Sequence, residues 1–263
     1  MIKVIPTNKL DSLYQKINHC LYLTSDNTVV KNCLRSFNNP GLIQERLEYV
    51  SSLPLVKGYT NPINLYSDGN TIYGYEMEYL RGCKTILACI NENISIDFDI
   101  KKRICLDLLK TLEELNKYYY VGDINLNNIM IGDNGSGYII DWENGTPKDF
   151  NYGILSEYVV EDISSIQFQD AFKMFISTVS LLYGINFELL FPYMSPSEMH
   201  DYAKKIKLDS SIIAYLEDVS SQVLSGSNET IYFSEYLSHI RGISKYRVGS
   251  VKKKMLKNAC IDK

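Results

Sequence analysis

Asp123, Asn128 and Asp141 are the residues whose types and spacing could do chemistry together. They stand in Tyr120-Val-Gly-Asp-Ile-Asn-Leu-Asn-Asn-Ile-Met-Ile and Tyr138-Ile-Ile-Asp-Trp-Glu, at offsets of five and then thirteen residues. A carboxylate that can receive a hydroxyl proton is followed by an amide oxygen and a second carboxylate, both suited to holding magnesium over nucleotide phosphates. This is the spacing of a phosphotransfer site. Apolar residues flank each polar member, as expected where short strands hold site residues at their ends. The competing reading is turn chemistry, because Asp and Asn are common in turns. Gly122-Asp123 alone is a turn signal, and Asp133-Asn-Gly-Ser-Gly reads as a hairpin turn. Agreement along the rest of the chain separates the two readings.

The elements that must position the trio are legible on both sides of it. From Asp97 to Tyr119, apolar residues at Ile100, Ile104, Leu108, Leu109, Leu112 and Leu115 follow the helical period that buries one face. Before it, Thr71-Ile-Tyr-Gly-Tyr-Glu-Met-Glu-Tyr-Leu-Arg-Gly reads as a strand running into a short polar link. Asn27-Thr-Val-Val-Lys31 ends a β-branched run with a lysine, and Leu42 to Leu53 reads as a helix carrying Glu45 and Glu48. Downstream, Asp170 to Gly184 is a largely apolar run that begins with aspartate and ends in glycine. Ile212 to Leu224 and Phe233 to Ile240 read as two more helices.

The pattern resembles the protein-kinase superfamily, whose loops typically read HRDxxxxN and DFG where this chain has VGDINLNN and DWE. The resemblance covers about Tyr22 to Ile240 and implies an α+β, two-lobed fold. It divides the chain into a small β-rich lobe over about 1–79, a larger helical lobe over about 80–245, and a basic tail over 246–263. It implies ATP and Mg2+ as cofactors, Asp123 as base, and Asn128 and Asp141 on the metal. Lys31 would contact phosphates, held by Glu45, with Glu48 one helical step away on a shared face. Met-Glu-Tyr-Leu is similar to the hinge between lobes, which puts Met77 beside adenine and makes the backbone of Glu78 and Leu80 its hydrogen-bonding edge. The Asp170 to Gly184 helix matches a buried kinase helix, whose first aspartate can cap its own amides or brace the catalytic loop. Glu157-Tyr-Val-Val-Glu-Asp is similar to the segment closing the activation loop, with Glu161 in the place of its glutamate.

Departures from the family pattern set further expectations. Leu21-Tyr-Leu-Thr-Ser-Asp-Asn-Thr, before Lys31, has no glycine, so backbone amides cannot wrap phosphates in the usual way there. The small lobe reads as having four strands at most. Val121 and Gly122 replace the His-Arg pair, so no arginine waits for a phosphorylated loop, and a permanently active form is expected. Asn125 replaces a lysine that steadies the transferred phosphate in many relatives. Trp142 and Glu143 replace Phe and Gly, which favours a fixed metal loop.

Composition sets the outer limits. With 263 residues, 45% hydrophobic, the chain can bury a full core as one catalytic unit. No stretch approaches the twenty apolar residues that span a bilayer, and the N-terminus does not read as a secretory signal, so a cytoplasmic protein is expected. Six cysteines show neither metal-ligand spacing nor a disulfide framework and read as buried free thiols. The histidines at 19, 200 and 239 form no catalytic set. A net charge of −4 argues against a nucleic-acid-binding surface, while Lys245 to Lys263 is basic and reads as a docking site for an acidic partner or a solvated terminal helix.

Three function classes follow. The first is an atypical serine/threonine protein kinase, with a protein or peptide acceptor; Gly-Asp loops followed by Asp-x-Glu also resemble kinase domains of some lanthipeptide synthetases. The second is a small-molecule kinase of the choline or aminoglycoside type, disfavoured because no acidic, aromatic-rich insertion follows Asp141. The third is a pseudokinase binding module, motivated by the missing glycine loop.

Overall fold

The computed structural model describes residues 1–33, 40–141, 145–148, 162–163, 165–227 and 229–259. It is a mixed α+β fold in which one six-stranded sheet precedes a mostly helical part. The strands are β1 (Ile2–Val4), β2 (Gln15–Lys16), β3 (Leu21–Leu23), β4 (Thr28–Asn32), β5 (Asn64–Asp68) and β6 (Thr71–Glu78), in spatial order β1-β5-β6-β4-β3-β2. The expectation of four strands at most is therefore corrected. Short edge strands β1 and β2 carry too little alternation to be read from sequence, and β1 is recruited in parallel onto β5 by tertiary pairing. A one-turn helix α1 (Leu10–Leu13) links β1 to β2, and α2 (Pro40–Ser51) packs across β6.

Both faces of β6 are buried. A bulge where its register with β5 shifts, between Tyr66 and Ser67, turns Tyr73 to the opposite face from Ile72, Tyr75 and Met77. Tyr73 joins Leu10, Tyr22, Val30 and Tyr66 in a small outer cluster, whereas Ile72, Tyr75 and Met77 join the main core. Gly74 lies opposite Asn32, and a Cβ there would fall 2.3 Å from the carbonyl oxygen of Lys31. Only glycine lets β4 and β6 approach this closely at the point where Lys31 is presented.

Beyond β6 come β7 (Lys84–Thr85), α3 (Ile86–Asn91) and α4 (Phe98–Leu115). Asp97 caps α4 by accepting from the Asp99 amide at 2.9 Å, and the face from Ile104 to Leu115 is buried as expected. Ile100 is the exception: it is exposed, one turn short of the core. Next are β8 (Tyr119–Tyr120), β9 (Ile129–Ile131), β10 (Gly137–Ile139) and β11 (Thr146–Pro147). The hairpin turn at 133–137 is present, joining β9 to β10. Then α5 (Ile166–Tyr183), buried nearly all round, ends on Gly184 with φ +62°. The chain closes with α6 (Pro196–Ile206), α7 (Ser210–Leu224), α8 (Ser234–His239) and α9 (Lys245–Ala259).

One main core joins the sheet to the helices, from Val29 and Tyr75 to Leu108, Phe172 and Tyr215. Among the described residues no helix is long and apolar enough to cross a membrane. The five described cysteines are free thiols; Cys83 is half-buried and the other four are buried. The basic tail is a helix anchored by buried Val251 and by an ion pair from Arg247 to Asp209 at 3.0 Å, with Lys252 and Lys253 exposed.

Candidate functional site

The segment carrying Asp123 and Asn128 runs between β8 and β9, where side-chain amides rather than regular pairing set the backbone. Gly122 has φ +76°, a conformation that admits glycine without strain and turns the chain sharply before Asp123. Asn128 donates through Nδ2 to the Asp123 backbone carbonyl at 2.9 Å and to its carboxylate Oδ2 at 3.1 Å. Asn125 donates to the same carbonyl and to Oδ1, each at 3.2 Å. Its own Oδ1 accepts from the amides of Asn127 and Asn128, at 2.9 and 3.2 Å. Two amides thus hold the carboxylate by both oxygens. Asn125 does so where the resemblance expects a lysine.

Asp141 lies two residues past β10 with φ +61°, a left-handed conformation that Asp tolerates better than most side chains. The amide of Ile140, just before it, donates to the carbonyl of Asn128 at 2.9 Å, so the two metal-site candidates are tied through adjacent backbone. Lys31 reaches Asp141 from β4, Nζ to Oδ1 at 2.7 Å, with Lys31 almost fully buried. Glu45, expected to hold Lys31, is exposed on α2, and so is Glu48, which instead accepts from Gln44 at 3.1 Å. The buried polar residue of that helix is Arg46. Helical spacing alone could not say which of Glu45, Arg46 and Glu48 is buried.

Lys31 and Asp141 line a cleft of about 440 Å³; Asp123 and Asn128 are not in its lining and are joined to it through the Ile140–Asn128 backbone bond. Val29 from the sheet and Met130 and Ile140 from the β9–β10 hairpin supply apolar walls, and Met77, Glu78, Tyr79 and Leu80 form one edge. After Glu78 the chain turns, with Cys83 donating to the Leu80 carbonyl at 3.2 Å. Strand register orients the cleft: Thr28 pairs with Glu78 at this edge, while Lys31 pairs with Leu21 at the far end. The turn beside Lys31 is therefore Ile17–Cys20, not the Leu21 to Thr28 segment that the sequence suggested. That segment forms the β3–β4 hairpin, whose turn closes near Glu78. The Ile17–Cys20 turn also has no glycine and is held by Asn18, whose Oδ1 accepts from the Cys20 and Leu21 amides at 3.0 and 2.9 Å.

The loop is braced from α5. Ser165 is the N-cap of that helix, accepting from the Phe168 amide at 3.3 Å, which leaves Asp170 in the second turn. Fully buried Asp170 accepts from the amides of Val121 at 2.7 Å and Gly122 at 2.9 Å, so of the two roles open to it from sequence it takes the brace. Burial pushes its carboxyl up to about 7, against the pull of Lys173 and the two amides. Lys173 and Glu188 also reach this loop, and sequence reading missed both. A lysine between Phe172 and Met174 in an apolar helix was a usable signal, since a buried charge demands partners. Glu188, in a short 3₁₀ turn at Phe187–Leu189, carried none.

Trp142, Glu143, Glu157 and Glu161 lie outside the described residues. Among the described residues no three His, Cys, Asp or Glu side chains converge as a self-sufficient metal site. Compared with known proteins, the chain matches no family model, and no curated protein matches it.

Proposed function

We propose that this chain is an ATP-dependent phosphotransferase of the protein-kinase-like, two-lobed type, moving the γ-phosphoryl group to Ser or Thr hydroxyls of a protein or peptide. The observation that carries the reading is one cleft whose far end holds the Lys31–Asp141 pair, tied by the Ile140–Asn128 bond to the loop that presents Asp123. In this reading adenine lies between Val29 and Met130, with its polar edge on the backbone of Glu78 and Leu80. Lys31 meets the phosphates. Asp123, its carboxylate oriented by Asn125 and Asn128, receives the proton of the acceptor hydroxyl as that oxygen attacks phosphorus and ADP leaves.

The residues present fit magnesium. Asn128 spends its amide nitrogen on Asp123, which leaves Oδ1 as an acceptor, and Asp141 uses Oδ1 on Lys31, which leaves Oδ2. One amide oxygen and one carboxylate match an ion that completes its shell with phosphate and water oxygens. When bound, the ion would neutralise phosphate charge during transfer. A protein acceptor is favoured by α5, whose Asp170 braces the loop as the resembling helix of protein kinases would.

The test is incubation of the purified chain with magnesium and radiolabelled ATP, with and without generic protein substrates, beside two variants. Label on protein is expected, abolished in Asp123→Ala with nucleotide binding retained, while Asp141→Ala also loses magnesium-dependent binding. Equal partial losses in both variants would indicate destabilisation only. No label, with no ATP consumed even when small alcohols are added, would overturn the reading in favour of a binding module.

A further inference from the structure

Two charged side chains that reach the Asp123 loop, buried Lys173 and half-buried Glu188, have no place in the scheme above. Lys173 is only 5% exposed, inside an otherwise apolar stretch of α5. Its Nζ donates to the carbonyl of Gly122 at 3.3 Å, the oxygen of the peptide bond that leads into Asp123. Glu188 accepts from the Leu126 amide at 2.8 Å and from the Ser177 hydroxyl at 3.5 Å. With Asp170 on Val121 and Gly122, three ionisable side chains grip one short loop on both sides of Asp123. Burial holds the Lys173 ammonium below its ordinary value, against the pull of the Asp170, Asp123 and Glu188 carboxylates. Burying an ammonium ion is costly, so a fold that keeps one here gains from its field or its hydrogen bond.

We propose that Lys173 is a positioning residue for Asp123, supplying from α5 the positive charge that the loop lacks at Asn125, with Glu188 holding the opposite side of the same loop. Asn125 is neutral and spends its amide on Asp123 and on the Asn127 and Asn128 amides, so the loop itself carries no cation there. Lys173 acts through the Gly122 peptide and fixes the direction in which Asp123 leaves the turn. Lys173 is not among the residues that line the cleft, so its removal is expected to affect the reacting geometry before it affects binding.

This inference rests on the phosphotransferase reading, and the experiment separates the two. Turnover of magnesium-ATP by the full chain, with water as acceptor, is measured beside nucleotide affinity and thermal stability. Lys173→Met is expected to lower kcat about 30-fold or more with affinity for magnesium-ATP changed less than about threefold, and Lys173→Arg to recover most of the loss. Glu188→Gln keeps an acceptor for the Leu126 amide and the shape of the site, so it guards against a Lys173 variant that fails to fold. It is expected to fold normally and lower kcat about fivefold with unchanged affinity. Active wild type with unchanged kcat in both Lys173→Met and Glu188→Gln overturns the inference and leaves the reading standing. Parallel loss of kcat, affinity and stability that Lys173→Arg does not repair overturns it in favour of a packing role. A wild type that is silent with water and also leaves protein substrates and small alcohols unlabelled overturns the phosphotransferase reading and this inference with it.

Discussion

At the scale of single residues, the site depends on charges held short of full burial. Lys31 is almost buried, but Asp141 keeps 29% of its side chain exposed, so water and a ligand can reach the pair. Exchanging Lys31 for methionine should therefore cost little stability, about 1 kcal/mol, because Asp141 can be solvated in place. Under the proposed function nucleotide affinity should fall about tenfold or more, because the cation assigned there to phosphate is gone. Nucleotide titration alongside urea denaturation checks both halves. An unchanged affinity would remove Lys31 from the binding site. Asn125 shows the complementary device: a neutral side chain makes four hydrogen bonds, two to Asp123 and two to following amides, and substitutes geometry for charge.

At the scale of elements, the presentation of Lys31 depends on how closely β4 and β6 approach. The missing Cβ of Gly74 makes that approach possible, and the atom it would strike is backbone, which cannot rotate away. Gly74→Ala should destabilise the protein by about 1–3 kcal/mol and weaken nucleotide binding in the same step, because relief of the clash displaces Lys31. Gly242→Ala is the control: a Cβ at Gly242 meets nothing within 4 Å, and no change is expected. Thermal denaturation of the two variants decides it, and equal effects would dissociate Gly74 from the site. The same scale explains the hairpin β9–β10, which sets Asn128 just before one strand and Asp141 just after the other.

At the scale of the whole molecule, the buried ionisable groups around the loop give stability a pH dependence. Burial pushes Glu188 up to about 7, with the Asp123 charge adding to the rise and Leu126, Ser177 and Lys173 opposing it. The native state therefore holds this proton more tightly than the unfolded chain does. Its contribution is complete below the unfolded value, about 4.3, and is lost as pH rises through about 7. Asp170, faced by Lys173 and Asp123, is shifted the same way. Wild type should lose stability relative to Glu188→Gln between pH 4.5 and 7.5, by up to about 1.4 kcal/mol per pH unit. Urea denaturation across that range measures the difference, and parallel curves would mean that Glu188 titrates normally.

The sequence by itself determined the Asp123, Asn128 and Asp141 offsets, the amphipathic face of α4, the α5 helix closed by Gly184, and the strand that runs from Thr71 into a short polar link. These are local: periodicity, capping and turn chemistry are written within a few residues of where they act. Tertiary structure decided which of Glu45, Arg46 and Glu48 is buried, that Asp170 braces a loop 48 residues earlier instead of capping its own helix, and which turn stands beside Lys31. It also decided that Lys173 and Glu188 meet at one loop. Each of these depends on contacts between distant parts of the chain. The identity of a charged residue shows that it needs a partner, and only packing shows where that partner is.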